Sequence, residues 1–466
     1  MCEVHGGTCM KIMVYRPRRP RQSVIMNMLF NAEPLELEYL YTVLKDYGEI
    51  LLLDHQVRRI DIAREIIQFK PDLLLITAMI TQVNEVNALA LRVSKLPSPP
   101  KVFIGGPHAE VMPEHFFTPG VDVVFHSGQL DAVSEVIDLL LRGESYHQVA
   151  GIAWKKEGAF IRNPFRPSDP AAMPIPDRPL LNRYQKKYRF LYYRHCATMK
   201  ASFGCPEQCT FCFCREMNGG RYASRPIPEV MKEIETIPSQ NIFFVDDNFL
   251  LGVDRLHFFC DEIKRRNIRK KFIVYGTTGF IARHPEVMRR LKEAGLSAVI
   301  AGFEFIRDSD LQAFQKGSDA GENRMAIDIC HTLDLDLVSL FMVSPEWKSE
   351  RFRELARYVS KNRLYLATFG TITTLPGTKL WEETRRTAPD HEKWWRYDLV
   401  RLHERPDHMP AWMYYFRLSY LYTMPAFSPG GLRYYFRRAG VAEALRIAMS
   451  GIYINIDFLI RLLRWH

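Results

Sequence analysis

The stretch TMKASFGCPEQCTFCFC, residues 198–214, joins a short predicted strand to a loop that holds four of the chain's nine cysteines. Cys205, Cys209 and Cys212 have the spacing CxxxCxxC, and Cys214 follows two positions later. This spacing lets one short loop fold three thiolates around a single cubane cluster. Because iron–sulfur clusters usually take four cysteines, three leave one iron open to chelation by a small molecule.

Six predicted strands, beginning with this stretch, alternate with helical segments. They are residues 198–203, 241–245, 272–277, 298–303, 337–343 and 366–371. One of the intervening helical segments, EVMRRLKEAG, ends at Gly295, which is a natural C-cap. Six consecutive βα units predict a partial TIM-like (β/α)6 barrel with its chemistry at the carboxyl ends of the strands, where the cysteine loop lies.

The first third of the chain predicts a second sheet. Residues 49–54, 72–77 and 101–106 are continuous apolar runs, as buried parallel strands require, and the segments between them have apolar residues at helical spacing. This βαβαβ pattern predicts a doubly wound, Rossmann-like domain. Gly105 and Gly106 close the third run at the edge where such sheets bind ligands, and they would let a ligand approach the backbone closely.

These patterns divide the chain into four predicted regions. Residues 10–145 form the doubly wound domain, and residues 146–195, rich in proline and basic residues, form a linker. Residues 196–386 form the barrel. Residues 387–466 lose the strand rhythm and are expected to be a helical carboxy-terminal domain. The predicted fold class is therefore α/β, with a helical region at the end.

Composition narrows the function only slightly. The 466 residues are 47% hydrophobic and 25% charged, as in globular proteins. The net charge of +10 suits nucleic acid, an anionic membrane or an anionic ligand equally well. No signal-peptide pattern opens the sequence, and no window reaches the roughly 18 uninterrupted apolar residues of a spanning helix. We therefore expect a cytoplasmic protein, in which grouped cysteines hold metal rather than disulfides.

The cysteine loop and the segments after it resemble the radical S-adenosylmethionine superfamily over residues 197–380. The resemblance implies that Cys205, Cys209 and Cys212 hold a 4Fe–4S cluster and that S-adenosylmethionine binds its open iron. It also implies an external one-electron reductant of the flavodoxin or ferredoxin type. An electron from the cluster would break a carbon–sulfur bond and release a 5′-deoxyadenosyl radical.

The same resemblance assigns contacts with S-adenosylmethionine. They lie beside the third cysteine and at the ends of later strands: Phe211 near the adenine, Asp246 and Asp247 in FFVDDNF near the methionine amino group, Glu304 in AGFEF near the ribose, and Pro376 and Gly377 in the turn LPGT after the sixth strand. The fifth-strand segment FMVSPE lacks the glycine that the family has there.

The amino-terminal region, residues 11–141, resembles the cobalamin-binding domain that precedes many of these barrels. The expected cobalamin contacts are the residue at the second strand end and a GGPH-type turn: Thr77, Gly105, Gly106, Pro107 and His108. The segment HSGQLDA, residues 126–132, replaces the glutamate–glycine repeat that the family usually has after VDVV.

Two further residues are expected to play no part in cofactor binding. His55 lacks the DxHxxG context of cobalamin domains that ligate cobalt through histidine, so it is an ordinary loop histidine. Cys214 is expected to face away as a spare thiol. The alternative is a structural zinc knuckle with Cys214 as its fourth ligand.

Together, the two resemblances imply a cobalamin-dependent radical methyltransferase. One S-adenosylmethionine would methylate cobalt, and the radical from a second would remove hydrogen from an unactivated carbon, which then takes the methyl group. The segment AEPLELEYL and the aromatic, arginine-rich tail resemble hopanoid methylases and indicate a lipid-like small-molecule substrate. A cyclase or rearrangement enzyme without methyl transfer is the alternative of the same architecture.

Other function classes stay open or are disfavoured. A non-catalytic iron–sulfur or zinc binding module is the alternative of a different class. A methylthiotransferase acting on RNA would need three further cysteines in the amino-terminal domain, and only Cys2 and Cys9 occur there, so no nucleic acid partner is expected. Residues 409–466 carry seven arginines against two acidic residues. They predict a peripheral contact with the inner membrane face, a lid over the substrate, or an ordinary helical cap on the barrel.

Overall fold

The computed structural model describes residues 9–20, 29–128, 130–384 and 393–462. The described residues form two large sheets of seven and six strands, each flanked by helices, two small sheets of three and two strands, and a helical carboxy-terminal region. The predicted α/β fold class is confirmed.

The first sheet belongs to the amino-terminal domain. Its strands are β1 (Met10–Arg16), β2 (Gly48–Asp54), β3 (Leu73–Thr77), β4 (Lys101–Gly105), β5 (Val123–Phe125), β6 (Ile152–Lys156) and β7 (Ala159–Arg162). Its helices are α1 (Leu35–Leu44), α2 (Ile62–Phe69), α3 (Val83–Val93), α4 (Pro107–Val111) and α5 (Leu130–Leu141). The strand order is β2-β1-β3-β4-β5-β6-β7, and β1 to β5 are parallel.

Both faces of this sheet are covered, which explains the continuous apolar runs. In β1, Ile12 and Val14 share a buried cluster with residues of α1 and α5, whereas Met13 and Tyr15 share another with residues of α2 and α3. Successive side chains of a strand point to opposite faces, so a sheet between two helical layers needs apolar residues at every position. The doubly wound arrangement is as predicted.

A hairpin lies inside the segment predicted to be a linker. Strands β6 and β7 extend the first sheet in an antiparallel manner from β5. Their two-residue connection has positive φ at both positions, 49° at Glu157 and 89° at Gly158, the geometry of a type I′ turn. A short helix, α6 (Pro179–Tyr184), follows. The prolines of this region dominate its composition and hide the turn signal of the dipeptide Glu-Gly.

The second sheet is the predicted partial barrel. Its six parallel strands are paired in chain order: β8 (Cys196–Met199), β9 (Asn241–Phe244), β10 (Lys271–Thr277), β11 (Leu296–Glu304), β12 (Asp336–Val343) and β13 (Thr368–Thr371). The accompanying helices are α7 (Ile227–Thr236), α8 (Val253–Arg265), α9 (Thr278–Arg283), α10 (Pro285–Glu293), α11 (Asp308–Ala313), α12 (Ala320–Thr332), α13 (Ser349–Lys361) and α14 (Lys379–Thr384).

The two free edges of this open barrel are covered by segments from distant parts of the chain. Beside β8, the Thr198 backbone N–H donates to Glu33 Oε2 over 2.6 Å. Beside β13, the Phe369 backbone N–H donates to the Tyr422 hydroxyl over 3.2 Å, and Tyr422 lies on helix α15 (Ala411–Phe427). Covering an edge strand satisfies its backbone and prevents pairing with another chain.

A buried ion network connects the amino-terminal domain, the following segment and the barrel. Arg178 donates to Glu33 Oε1 over 2.7 Å and to Glu233 Oε1 over 2.6 Å. Arg225 also pairs with Glu233. All four side chains are almost fully buried, so removing one partner would leave an uncompensated buried charge. The network therefore fixes how the two sheets meet.

The carboxy-terminal region packs along the side and the base of the barrel. Helix α16 (Pro429–Leu462) is broken at Gly440, where φ is 74°. Asp336, the first residue of β12, accepts hydrogen bonds from Tyr192, Tyr193 and Tyr434. The start of α16 therefore caps the amino ends of the strands, at the opposite end from the barrel mouth. This position agrees with the ordinary helical cap, one of the three alternatives predicted for residues 409–466. None of the described helices has both the length and the apolar character to cross a bilayer.

Candidate functional site

The cysteine loop lies at the mouth of the barrel, as predicted. It leaves β8 and is closed by a hydrogen bond from the Cys212 backbone N–H to the Cys209 carbonyl oxygen, 3.2 Å. Thr210 holds it in place by bonding to the Phe314 carbonyl over 3.2 Å and by accepting from the Leu380 backbone N–H over 2.8 Å. The loop is thus clamped between the ends of two other βα units.

The three predicted cluster ligands lie near one another. Burial raises the pKa of Cys205 to about 11 and that of Cys209 to about 12, and the neighbouring Cys212 thiol adds to both shifts. Buried thiols this close together lose their protons only when a bound cation neutralises the negative charge of the resulting thiolates. Soft sulfur donors on one short loop suit an iron–sulfur cluster, so the residues present fit the group that the sequence predicts.

Cys214 does not face away from the site, so that prediction is wrong. Its side chain is hydrogen-bonded to Cys212, because a 3₁₀ turn over residues 213–215 folds the chain back on itself. This hydrogen bond lowers the pKa of Cys212 and raises that of Cys214 well above its usual range. Cys214 is therefore linked to a predicted cluster ligand. Within the described ranges no three His, Cys, Asp or Glu side chains converge on the position of a single ion, as the zinc-knuckle alternative would require.

Glu304 occupies a strained position at the end of β11, beside the cysteine loop. Its φ is 58°, and Lys316 Nζ donates to its Oε1 over 3.2 Å. A Cβ atom at Gly302 would lie 2.1 Å from that oxygen, so only glycine lets the carboxylate fold back there. Strained non-glycine residues cluster at functional sites. Sequence reasoning found Glu304 but missed Lys316, which follows α11 in no recognisable motif.

The two predicted aspartates after β9 have different surroundings. Both oxygens of buried Asp246 are occupied, by the Ala201 backbone N–H at 2.7 Å and the Ser202 hydroxyl at 2.8 Å. Burial raises the pKa of Asp246 to about 6. Asp247 accepts only from the Gly204 backbone N–H among the described hydrogen bonds, over 2.8 Å. Asp246 therefore anchors the start of the cysteine loop through its hydrogen bonds, and Asp247 is available to bind a ligand.

The remaining predicted S-adenosylmethionine contacts are Phe211, which lies within the cysteine loop, and the turn after β13. Phe211 packs edge-to-face on Phe314, with ring centroids 6.0 Å apart. The turn after β13 instead meets the amino-terminal domain. Gly377 has φ 85°, and a Cβ there would lie 2.4 Å from Val111 Cγ1 at the end of α4. Pro376 and Gly377 thus form part of the junction between the domains.

The predicted cobalamin edge is formed by the ends of two neighbouring strands. Thr77 ends β3 and pairs with Gly105 at the end of β4. Gly106 has φ 103°, and a Cβ there would lie 2.7 Å from Thr77 Oγ1. Pro107 then begins α4. Glycine is required at position 106 because its φ is positive and any side chain would collide with Thr77 and Ala78, so the two strand ends pack closely together at this edge.

Two histidines near this edge are engaged within the protein. His108 Nε2 lies 2.9 Å from His115 Nδ1, and burial lowers the pKa of His108 to about 3, so its ring is neutral. His55 Nδ1 lies 2.9 Å from the Tyr15 hydroxyl. His108 therefore contributes to this edge mainly through its backbone, which donates to the Ala78 carbonyl over 3.4 Å.

Two charged residues that sequence reasoning missed, Lys200 and Glu110, lie near the predicted Asp247. Lys200 follows β8, and its Nζ is 3.7 Å from Asp247 Oδ2 and 4.7 Å from the Phe203 ring centroid. Glu110 of α4 is close enough to influence the pKa of Lys200. Burial raises the pKa of Glu110 to about 7. Lys200 lies inside the predicted strand 198–203, whereas the observed strand ends at Met199, so the sequence did not place Lys200 at the barrel mouth.

Comparison with protein families agrees with this geometry. Residues 22–136 match the B12 binding domain, and residues 199–359 match the radical SAM superfamily. The chain therefore carries a B12 binding domain followed by a radical SAM domain. It is an enzyme of the class that uses a 4Fe–4S cluster, S-adenosylmethionine and cobalamin, so the predicted class and cofactors are confirmed.

Similar proteins include methyltransferases. Hopanoid C-3 methylase of Methylococcus capsulatus is 27% identical over 79% of this chain and 72% of its own length. An uncharacterized methyltransferase of Pyrococcus horikoshii is 25% identical over 80% of this chain and 83% of its own. A solved structure of OxsB, a cobalamin-dependent S-adenosylmethionine radical enzyme with both molecules bound, superposes with a TM-score of 0.71, at 14% identity, over 98% of this chain and 80% of that one. This last likeness shows the fold.

Proposed function

We propose that this enzyme transfers a methyl group to an unactivated carbon of an apolar, lipid-like molecule. When bound, the cluster and S-adenosylmethionine would supply a 5′-deoxyadenosyl radical, and cobalamin would supply the methyl group. One observation carries the proposal: α4, which begins at the cobalamin edge, ends against the turn after β13 at the barrel mouth, where a Cβ at Gly377 would lie 2.4 Å from Val111 Cγ1. A substrate between this edge and the mouth would be within reach of both cofactors.

The chain's own residues would position the cofactors. Cys205, Cys209 and Cys212 are proposed to hold the cluster, with the Cys214 thiol donating a hydrogen bond to the Cys212 sulfur. Such a bond withdraws charge from a ligand sulfur and so tunes the cluster without adding a fourth ligand.

The S-adenosylmethionine contacts are proposed at the rim of the same mouth. Asp247, with one oxygen committed to the Gly204 backbone N–H, would accept from the amino group. Glu304, held by Lys316, would accept from the ribose hydroxyls. Phe211 would pack near the adenine. Asp246 would act indirectly by fixing the root of the cysteine loop.

The cobalamin contacts are proposed along the edge formed by Thr77 and Gly105 to His108. The Thr77 hydroxyl lies beside the Gly106 backbone at this edge. Neither His55 nor His108 is proposed as a cobalt ligand, because each ring is paired with another side chain. A flavodoxin- or ferredoxin-type protein would supply single electrons, and the carboxy-terminal helices would bring the enzyme to the cytoplasmic face of a membrane.

The substrate class rests on similarity to the hopanoid methylase and on the apolar carboxy-terminal region. The test uses reconstituted enzyme, a chemical reductant and S-adenosylmethionine labelled in its methyl group, with a bacterial hopanoid as the probe lipid. Label passing into the lipid supports the proposal. Turnover of that lipid to an unlabelled product would contradict it and favour a cyclase or rearrangement enzyme.

A further inference from the structure

Helix α15 has an unusual exposed face. Its exposed side chains are all aromatic: Trp412, Phe416, Tyr420 and Phe427. The first three are spaced by four residues and are each more than half exposed, at 58%, 59% and 53%. A surface helix normally turns charged and polar residues to solvent and apolar ones to the core. Here the face turned away from the barrel is apolar.

The later part of α16 repeats this inversion. From Val441 onward, the described side chains that are exposed are all apolar or aromatic, and Val441, Leu445, Met449, Ile452, Ile456 and Ile460 recur every three or four residues. Two charged residues of this segment point inward: Arg446 donates to the Leu191 carbonyl over 2.7 Å, and Glu443 pairs with Arg189 at 3.6 Å. The stripe is therefore not a core face left over from packing.

The two apolar faces lie on adjacent helices. Ser419 of α15 is hydrogen-bonded to Asn455 of α16, and a Cβ at Gly451 would lie 3.4 Å from the Phe427 ring. The helices thus pack side by side through their small and polar residues. None of the described helices can cross a bilayer, so apolar surface of this extent, two helices wide, marks an interaction site. We call it the helical docking face.

Positive charge accompanies this face and identifies its partner. Arg433 and Arg437 are exposed at the start of α16, and Arg437 also reaches Asp334 at 3.2 Å. An apolar face with arginine beside it is the pattern of helices that lie in the interface of an anionic bilayer.

We propose that the helical docking face seats the enzyme on an anionic membrane and that its Trp412 end places the barrel mouth at the lipid surface. Tyr414, two residues from Trp412, donates to the Val343 carbonyl over 3.2 Å and to Thr371 Oγ1 over 3.1 Å. Val343 and Thr371 end β12 and β13 at the mouth. This inference rests on the proposed apolar substrate, which would pass from the bilayer to the mouth along α15.

The test measures flotation of the reconstituted enzyme with vesicles of phosphatidylcholine, with and without phosphatidylglycerol. The variant F416S/M449S/I456S should lose binding to both, and R433Q/R437Q should lose about fivefold per arginine on the anionic vesicles alone. The matched control, I67S/F258S/M325S, removes three exposed apolar residues from elsewhere and should float like wild type. Equal flotation of wild type and F416S/M449S/I456S would overturn the proposal, as would a wild-type dimer that this variant dissociates without any vesicle binding.

A second readout tests the orientation. Lipids brominated near the headgroup should quench wild-type tryptophan emission more than that of Trp412→Phe; equal quenching would overturn the placement of the mouth. Formation of 5′-deoxyadenosine without vesicles should be the same in wild type and F416S/M449S/I456S. Vesicle binding without labelled lipid product would contradict the proposed reaction and leave the docking face supported. Labelled lipid product from an enzyme that does not bind vesicles would contradict only the docking face.

Discussion

Carboxylates are buried at both the mouth and the base of the barrel, but their hydrogen-bond partners differ. At the base, Asp336 accepts from three tyrosine hydroxyls and pairs with Arg438 Nε at 3.0 Å. At the mouth, Glu304 has Lys316 as its described partner and a left-handed backbone. The Asn248 side-chain oxygen there is buried with no hydrogen-bond partner among the described residues. A carboxylate satisfied on all sides stabilises the fold, whereas one held at a single oxygen can bind a ligand.

The largest expected effect is at the mouth. Replacing Cys205, Cys209 or Cys212 by alanine should abolish the 4Fe–4S cluster and 5′-deoxyadenosine formation, because each removes one of three ligands. Cys214→Ala should retain the cluster and change only its electronic properties, since Cys214 supplies a hydrogen bond. Iron content and paramagnetic resonance after anaerobic reconstitution check both. Loss of iron in Cys214→Ala, with retention in any of the other three, would reverse the assignment.

The base should affect stability and not the cofactors. Asp336→Ala removes the carboxylate that three tyrosine hydroxyls and Arg438 share, although Arg438 and Tyr193 each keep another described acceptor, so we expect a loss of about 3–5 kcal/mol. Thermal unfolding of the cofactor-free protein measures it, with Tyr192→Phe as a control that removes a single hydrogen bond and should cost about 1 kcal/mol. The fraction of Asp336→Ala that remains folded should still assemble a cluster. Cluster loss in that fraction would erase the distinction between the two ends.

Glu304→Gln should act on cofactor binding more than on the fold. It keeps the side-chain volume but removes the charge that faces the buried Lys316 ammonium, so some stability should be lost. A hydrogen bond accepted by a neutral amide is also weaker than one accepted by a charged carboxylate. We expect S-adenosylmethionine to bind about tenfold more weakly. Equilibrium binding to the reconstituted enzyme tests this. A large loss of stability with unchanged affinity would show that Glu304 belongs to the fold, as Asp336 does.

The smallest predicted effect is a pH dependence at Glu110. Its pKa is raised to about 7 by burial, so between about pH 5 and 7 the folded state retains a proton that the unfolded state has lost. Stability should therefore fall as pH rises through this window, by on the order of 1–2 kcal/mol. Glu110→Gln should flatten the profile measured by thermal unfolding. An unchanged slope in that variant would place the titrating group elsewhere.

Sequence reasoning predicted the periodic parts of the molecule. The six barrel strands, the doubly wound domain and the CxxxCxxC loop each have a local pattern that survives folding. The hairpin of β6 and β7 was missed because the prolines around it dominate the composition, and the inward turn of Cys214 because it depends on one short 3₁₀ turn. Lys316 and Glu110 reach the site through long-range packing, which has no signature along the chain.

The distinction between aspartates 246 and 247 shows the same limit. Both lie in one motif at a strand end. Only the hydrogen bonds from Ala201 and Ser202 distinguish Asp246, which anchors the loop, from Asp247, the candidate ligand contact. Spacing places residues at an edge of a sheet, but it does not tell which of their atoms are already satisfied.

The central claim is that both cofactor edges act on one substrate in each turnover. Methylation of cobalamin by S-adenosylmethionine gives S-adenosylhomocysteine, and radical cleavage gives 5′-deoxyadenosine. The direct measurement is the ratio of these two products during turnover with the lipid substrate. We predict near-equal amounts, each matching the methylated product. Formation of 5′-deoxyadenosine with lipid product but without matching S-adenosylhomocysteine would contradict the claim.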